Sequence, residues 1–162
     1  MRFFRLIPLL ANHVLLASPV LLAGLVLLAP VPVAARPCTT SPKVLVTRFL
    51  DLFYVQHKVR EAFMTYVDPG YIQHNPLAAN GRDAAIGFLE PFAASHPDQQ
   101  AEIKRIIAEG DLVVAHSHVR WARGDRGAAV VDIFRVAGCK VVEHWDVLQP
   151  VPETSANANT MF

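Results

Sequence analysis

The sequence predicts an α+β domain in which helices come first and an antiparallel meander follows. Two observations carry that expectation. Apolar residues recur at helical spacing from residue 42 to residue 95, and after His96-Pro97-Asp98 the period changes to two. Three turn signals, Gly110-Asp111, Gly124-Asp125-Arg126 and Ala137-Gly138, then divide the remainder into four strand-length runs. No internal repeat is visible.

Ser41-Pro42 opens the first helix, with the serine as N-cap and proline in the first turn. Val44, Leu45, Phe49, Leu52 and Phe53 continue it to about Val55. A shorter helix is expected over Lys58–Tyr66, with Val59, Phe63 and Tyr66 inward. Asp68-Pro69-Gly70 reads as a turn. Tyr71–His74 reads as an extended piece ended by Asn75-Pro76. A third helix, Arg82–Ser95, follows Asn80-Gly81, and Pro91 is expected to kink or shorten it. Strands are expected at about Gln100–Glu109, Leu112–Ala122, Gly127–Val136 and Val141–Gln149.

The chain has 162 residues, 52% of them hydrophobic, and the apolar excess lies in the first thirty. Arg2 and Arg5 precede a nearly unbroken apolar run, Leu6–Leu28. Pro30 and Pro32 break any helix before the small residues Val33-Ala34-Ala35. That order of features is a signal peptide over residues 1–35. Leu6–Ala29 is nearly long enough to remain as an uncleaved membrane anchor instead. Either way the domain is expected to be exported, periplasmic or secreted, with membrane contact only if the leader persists. Residues 36–41 read as a linker, 42–150 as the domain, and 151–162 as a polar, proline-marked tail ending in Met161-Phe162. Beyond the leader acidic and basic residues nearly balance, which gives no footprint for nucleic acid. Cys38 and Cys139 could form one disulfide in an exported protein, or remain two thiols.

Candidate chemistry comes from strand alternation. His116, His118 and Arg120 share one face of the second strand, opposite Val113, Ala115, Ser117, Val119 and Trp121. Asp132 and Phe134 share a face of the third. Val142, His144, Asp146 and Leu148 share one of the fourth. Neighbouring strands bring residues of one face to about 5 Å, so histidines and aspartates could line one concave surface. An imidazole paired with a carboxylate is a general base that needs no cofactor. His57 and His96 read as surface residues at helix ends. Trp121 and Trp145 read as packing or interface residues.

The segments Tyr71-Ile72-Gln73-His74-Asn75-Pro76, Asn80-Gly81-Arg82, Asp132-Ile133-Phe134-Arg135 and Glu143-His144-Trp145-Asp146-Val147-Leu148-Gln149-Pro150 resemble the SnoaL-like polyketide cyclase group. This group of predicted aldol-condensation enzymes belongs to the nuclear-transport-factor-like superfamily, and the tail Ser155–Phe162 is also similar to its ending. The resemblance implies a cone-shaped α+β barrel in which three N-terminal helices pack on a strongly curved antiparallel sheet. It also implies aspartate-centred acid/base chemistry on a small apolar carbonyl compound, without metal or cofactor. Asp132, His144, Asp146 and His118 are the expected catalytic residues; Tyr71, His74, His116 and Phe134 are expected to bind substrate. A homodimer is expected through the outer sheet face, which would offer Val119, Trp121, Val131, Ile133, Trp145 and Val147. Two other readings stay open. One is a non-catalytic binding module for an apolar ligand; the other is a three-histidine metal site at His116, His118 and His144.

Overall fold

The computed structural model describes residues 38–162, so the leader expectations for residues 1–35 lie outside the described residues, as do Arg36 and Pro37 of the linker. Helix α1 spans Pro42–Leu50, with Ser41 Oγ accepting from the Val44 N–H as the serine cap requires. The helix does not run on unchanged to Val55. Residues Asp51–Val55 form a π-helical turn instead, a distortion that often marks functional positions. Helix α2 spans Val59–Tyr66 and leads directly into strand β1, Val67–Gln73. Helix α3, Arg82–Ser95, runs through Pro91 without ending there. Four strands complete the chain: β2 Gln100–Glu109, β3 Leu112–Arg120, β4 Ala128–Ala137 and β5 Lys140–Pro150.

The strands form one sheet in the order β1-β5-β4-β3-β2. β2 to β5 are antiparallel as expected, whereas β1 lies parallel to β5, which makes the sheet mixed. The expected turn at Asp68-Pro69-Gly70 is instead an irregular stretch inside β1, between the pairs Val67↔Val141 and Ile72↔Glu143. Local turn chemistry pointed elsewhere because parallel pairing is a long-range contact, and proline is tolerated on an edge strand.

The three helices cover one face of the sheet. Their shared core includes Val46, Leu50, Phe63, Val67, Val113 and Val141, all at most 3% exposed. Phe49 is its hub, with ring centroids 5.2 Å from Phe63 and 5.8 Å from Phe134. Burying each such ring contributes roughly 1.5–3 kcal/mol. Cys38 and Cys139 are joined by a disulfide, which ties the arm before α1 to the β4–β5 hairpin. Gly138 (φ 56°) and Cys139 (φ 63°) make that turn with two positive φ angles, the geometry that suits a two-residue hairpin.

Register settles which side of β3 faces inward. Ala115 is the direct partner of Asp132, so the inner face of β3 carries Val113, Ala115, Ser117 and Val119. His116 and His118 therefore lie on the outer face, opposite Val131 and Ala129. Val119, expected in a dimer patch, is 2% exposed inside the cone. The tail is tied back to the sheet. Its Val151 N–H donates to Gly127 O, and the Phe162 ring stacks on His118 at 4.1 Å.

Candidate active site

The inner face of the sheet is built in rungs. Phe134 lies opposite His144, and Asp132 lies opposite Asp146, two residues further along each strand. β1 adds Tyr71 and Gln73, because Gln73 pairs with His144 across the parallel edge. Alternation then sends His74 outward and Asn75 back in. The π-helical turn supplies Tyr54 from above. Together these residues enclose a cavity of about 150 Å³ whose apolar wall includes Phe49, Phe53, Phe63 and Leu89.

Asp132 is 3% exposed and His144 8% exposed. His144 Nε2 lies 2.9 Å from Asp132 Oδ1. The other ring nitrogen fixes the tautomer. Gln73 Oε1 accepts from the Asn75 backbone N–H at 3.0 Å, and His144 Nδ1 lies 3.1 Å from the same oxygen. A carbonyl oxygen only accepts, so Nδ1 carries a hydrogen. The remaining ring nitrogen and the Asp132 carboxylate therefore share one proton between them. Gln73 Nε2 donates to the Tyr71 hydroxyl at 3.1 Å, which holds the carboxamide in that orientation.

On the other side of Asp132, the Tyr54 hydroxyl donates to Oδ2 at 3.5 Å. Burial pushes the Tyr54 phenol well above its ordinary value, and the nearby charges of Asp132 and then Asp146 push it further. Burial and the same two carboxylates raise Tyr71 as well. Both phenols thus stay protonated across the physiological range. Asp146 is held separately, with Asn75 Nδ2 donating to both its oxygens at 3.0 and 2.9 Å. Asn75 is itself braced, its Oδ1 accepting from the Leu77 N–H at 2.9 Å.

Of the residues expected at the site, the fold brings together Asp132, His144, Asp146, Tyr71 and Phe134. It does not bring His118, His116 or His74 there. His118 Nε2–H donates to Arg126 O at 2.8 Å, and its Nδ1 accepts from Arg120 at 3.0 Å, on the outer face. His116 sits beside it, its ring 5.8 Å from that of Phe162. His74 stacks on Trp145 at 4.5 Å and bonds Glu143 at 2.7 Å, also outside. The physical reason is common to all three: the period-two pattern gives parity, and only the cross-strand register says which parity is inside. The same register splits the His116, His118 and His144 metal set across the sheet. A different group, Asp132, His144 and Asp146, has donor atoms within 4.8 Å of one another and could hold a cation.

Three polar lining residues are not singled out by the sequence: Tyr54, Gln73 and Asn75. Gln73 and Asn75 fall inside the Tyr71–Pro76 segment, so alternation with Tyr71 could have found them. Tyr54 carries no local signal, since a regular helix would have aimed it differently.

The sequence model of the SnoaL-like domain family matches residues 46–144. The same fold occurs in TsrD from Streptomyces laurentii, 22% identical with a TM-score of 0.54 over 64% of this chain and 84% of that one. It occurs in IdmH, a candidate polyketide cyclase from Streptomyces antibioticus, at 19% identity and TM-score 0.54 over 67% and 92% of the two chains. A SnoaL-like protein of unknown function from Burkholderia thailandensis gives 17% and 0.57, covering 70% of this chain and 99% of its own. Identities this low establish the fold alone. No curated protein matches the chain. With most of the described domain inside the family match and the cone-shaped α+β fold shared, the chain belongs to the SnoaL-like domain family.

Proposed function

We propose that the domain is a cofactor-independent acid/base enzyme, an aldol-type cyclase, lyase or isomerase, acting on a small apolar carbonyl compound. The observation that carries this reading is the buried Asp132–His144 contact of 2.9 Å, with a neutral phenol on the carboxylate's other oxygen. In this reading Asp132 takes a proton from the carbon next to a carbonyl, and the electron pair moves onto the carbonyl oxygen. The Tyr54 phenol donates to the enolate oxygen as charge develops there. His144 orients Asp132 and carries the proton the pair shares, which leaves the carboxylate free to accept the one from substrate. The enolate carbon then attacks a second carbonyl, whose oxygen takes the proton back from Asp132, or the enolate is reprotonated by Asp132 at another carbon. Aromatic walls exclude water and strengthen each of these contacts. Family membership and the candidate cyclases of the same fold support the reaction class.

We further infer that the domain works outside the cytoplasm, since disulfides persist in oxidising compartments and the sequence opens with an apolar leader. The expected homodimer would use what remains of the outer face, namely Val131, Ile133, Trp145 and Val147.

Exchange of α-hydrogens for deuterium tests the chemistry without the natural substrate. Cyclohexanone and 4-phenylcyclohexanone in D2O are expected to exchange faster with the protein than without it. Asp132→Asn keeps the shape and should cost roughly 10²–10⁴ in rate. An unchanged rate in that variant would reject the acid/base reading. EDTA should leave the rate intact; its loss would promote a cation held by Asp132, His144 and Asp146. Binding without any exchange would make the domain a binding module.

A further inference from the structure

A second chamber adjoins the first, and its position follows from the rungs. Beyond Asp132 and Asp146 the next inward pair is Val130 and Leu148, two residues or about 7 Å further along the strands. Here Phe92 of α3, Trp121 and Val119 close a chamber of about 130 Å³. Phe53, Tyr54, Leu89 and Asp146 line both spaces, so the second begins where the catalytic cavity ends.

Besides Tyr54 and Asp146, the chamber's lining includes the polar side chain Gln99, only 9% exposed. Its backbone N–H is satisfied by His96 O. Among the described residues no hydrogen bond to its carboxamide is found, and the side chain lines a chamber whose other walls are largely apolar. The carboxamide is not among the sealed, unpartnered polar atoms, so its N and O remain accessible, and it can both donate and accept. That combination suits a ligand group that arrives with its own hydrogen-bonding oxygen.

We propose that this chamber is a binding subsite for the distal half of the substrate, and that Gln99 reads a hydroxyl or carbonyl oxygen there. The substrate class is then an elongated apolar ketone, with its reacting carbonyl at Asp132 and Tyr54 and a second oxygen at the far end. Each chamber accommodates about one ring, and Phe92 and Trp121 offer flat surfaces to the distal one. The inference rests on the acid/base reading for what happens at Asp132, but its binding claim can be measured alone.

The test compares the affinity of 4-phenylcyclohexanone with that of 4-(4-hydroxyphenyl)cyclohexanone by titration calorimetry. The hydroxylated ketone should bind the wild type roughly 5–10-fold more tightly, the value of one neutral hydrogen bond. Gln99→Leu should remove that preference while binding the unsubstituted ketone at least as well. Gln99→Met provides a second apolar replacement should the leucine perturb folding. Equal affinities in the wild type, or a preference that survives in both variants, would overturn the subsite. So would failure of both ketones to bind at millimolar concentration. Asp132→Asn separates the two readings. It should abolish exchange yet keep the hydroxyl preference, whereas a preference found with no wild-type exchange would reject only the chemistry.

Discussion

The Cys38–Cys139 disulfide closes a loop of sequence separation 101, long enough that its loss should be plain in a thermal melt. Constraining about 100 residues in the unfolded chain is worth roughly 4.7 kcal/mol by loop entropy, and native disulfides typically deliver about 2–5 kcal/mol. For a domain of this size the unfolding entropy is about 2.1 cal/mol/K per residue, so each kcal/mol moves Tm by about 4 °C. The expected drop is therefore about 8–18 °C. Cys38→Ser is the cleaner perturbation, because Cys38 is exposed whereas Cys139 packs against the core. Circular dichroism melts of that variant, and of wild type with and without reductant, should agree. A drop below about 4 °C in both would show that the staple does not hold the native arm to the hairpin. Two thiols titrating in denatured protein taken from an oxidising compartment would refute the pairing itself.

Other perturbations probe the site and the sheet. Tyr54→Phe removes the hydroxyl facing Asp132 Oδ2 and should slow α-hydrogen exchange by roughly 10²–10³; His118→Ala, on the outer face, should leave the rate unchanged, and equal losses would reject the assigned sides. Hydrogen bonds from His74 and then Arg135 hold the Glu143 carboxyl below its ordinary 4.5. A depressed carboxylate stabilises the fold above its unfolded value and loses that contribution as pH falls through the folded one. Acid melts should therefore show Tm falling below about pH 4.5, and Glu143→Gln should flatten that slope. Gly127 (φ 70°) has no room for a side chain, since a Cβ would stand 2.0 Å from Val119 O, whereas Gly124 (φ 77°) is open. Gly127→Ala should cost about 3 kcal/mol or more and Gly124→Ala about 1 kcal/mol, read as denaturant midpoints.

Several features could be read without any structure. The helical and then alternating periods located three helices and four of the five strands, because each element must bury one face and its own residues record which positions those are. The Ser41-Pro42 start was equally local. Alternation also put Asp132 with Phe134, and His144 with Asp146, on common faces. Tertiary structure decided the rest. β1 could not be seen as a parallel edge because its partner lies seventy residues away, and its Asp68-Pro69-Gly70 segment has the chemistry of a turn. Parity alone is symmetric and does not say on which side His116 and His118 lie; the pairing of Ala115 with Asp132 breaks that symmetry and puts both histidines on the outer face of β3. Tyr54 reached the carboxylate only through the π-helical turn, and Gln73 and Asn75 only through β1 lying beside β5. The sequence by itself determined the three helices, the four antiparallel strands and the shared faces of Asp132 with Phe134 and of His144 with Asp146. Register and one irregular turn decided which side chains share the cavity, since those depend on contacts between segments that no local pattern encodes.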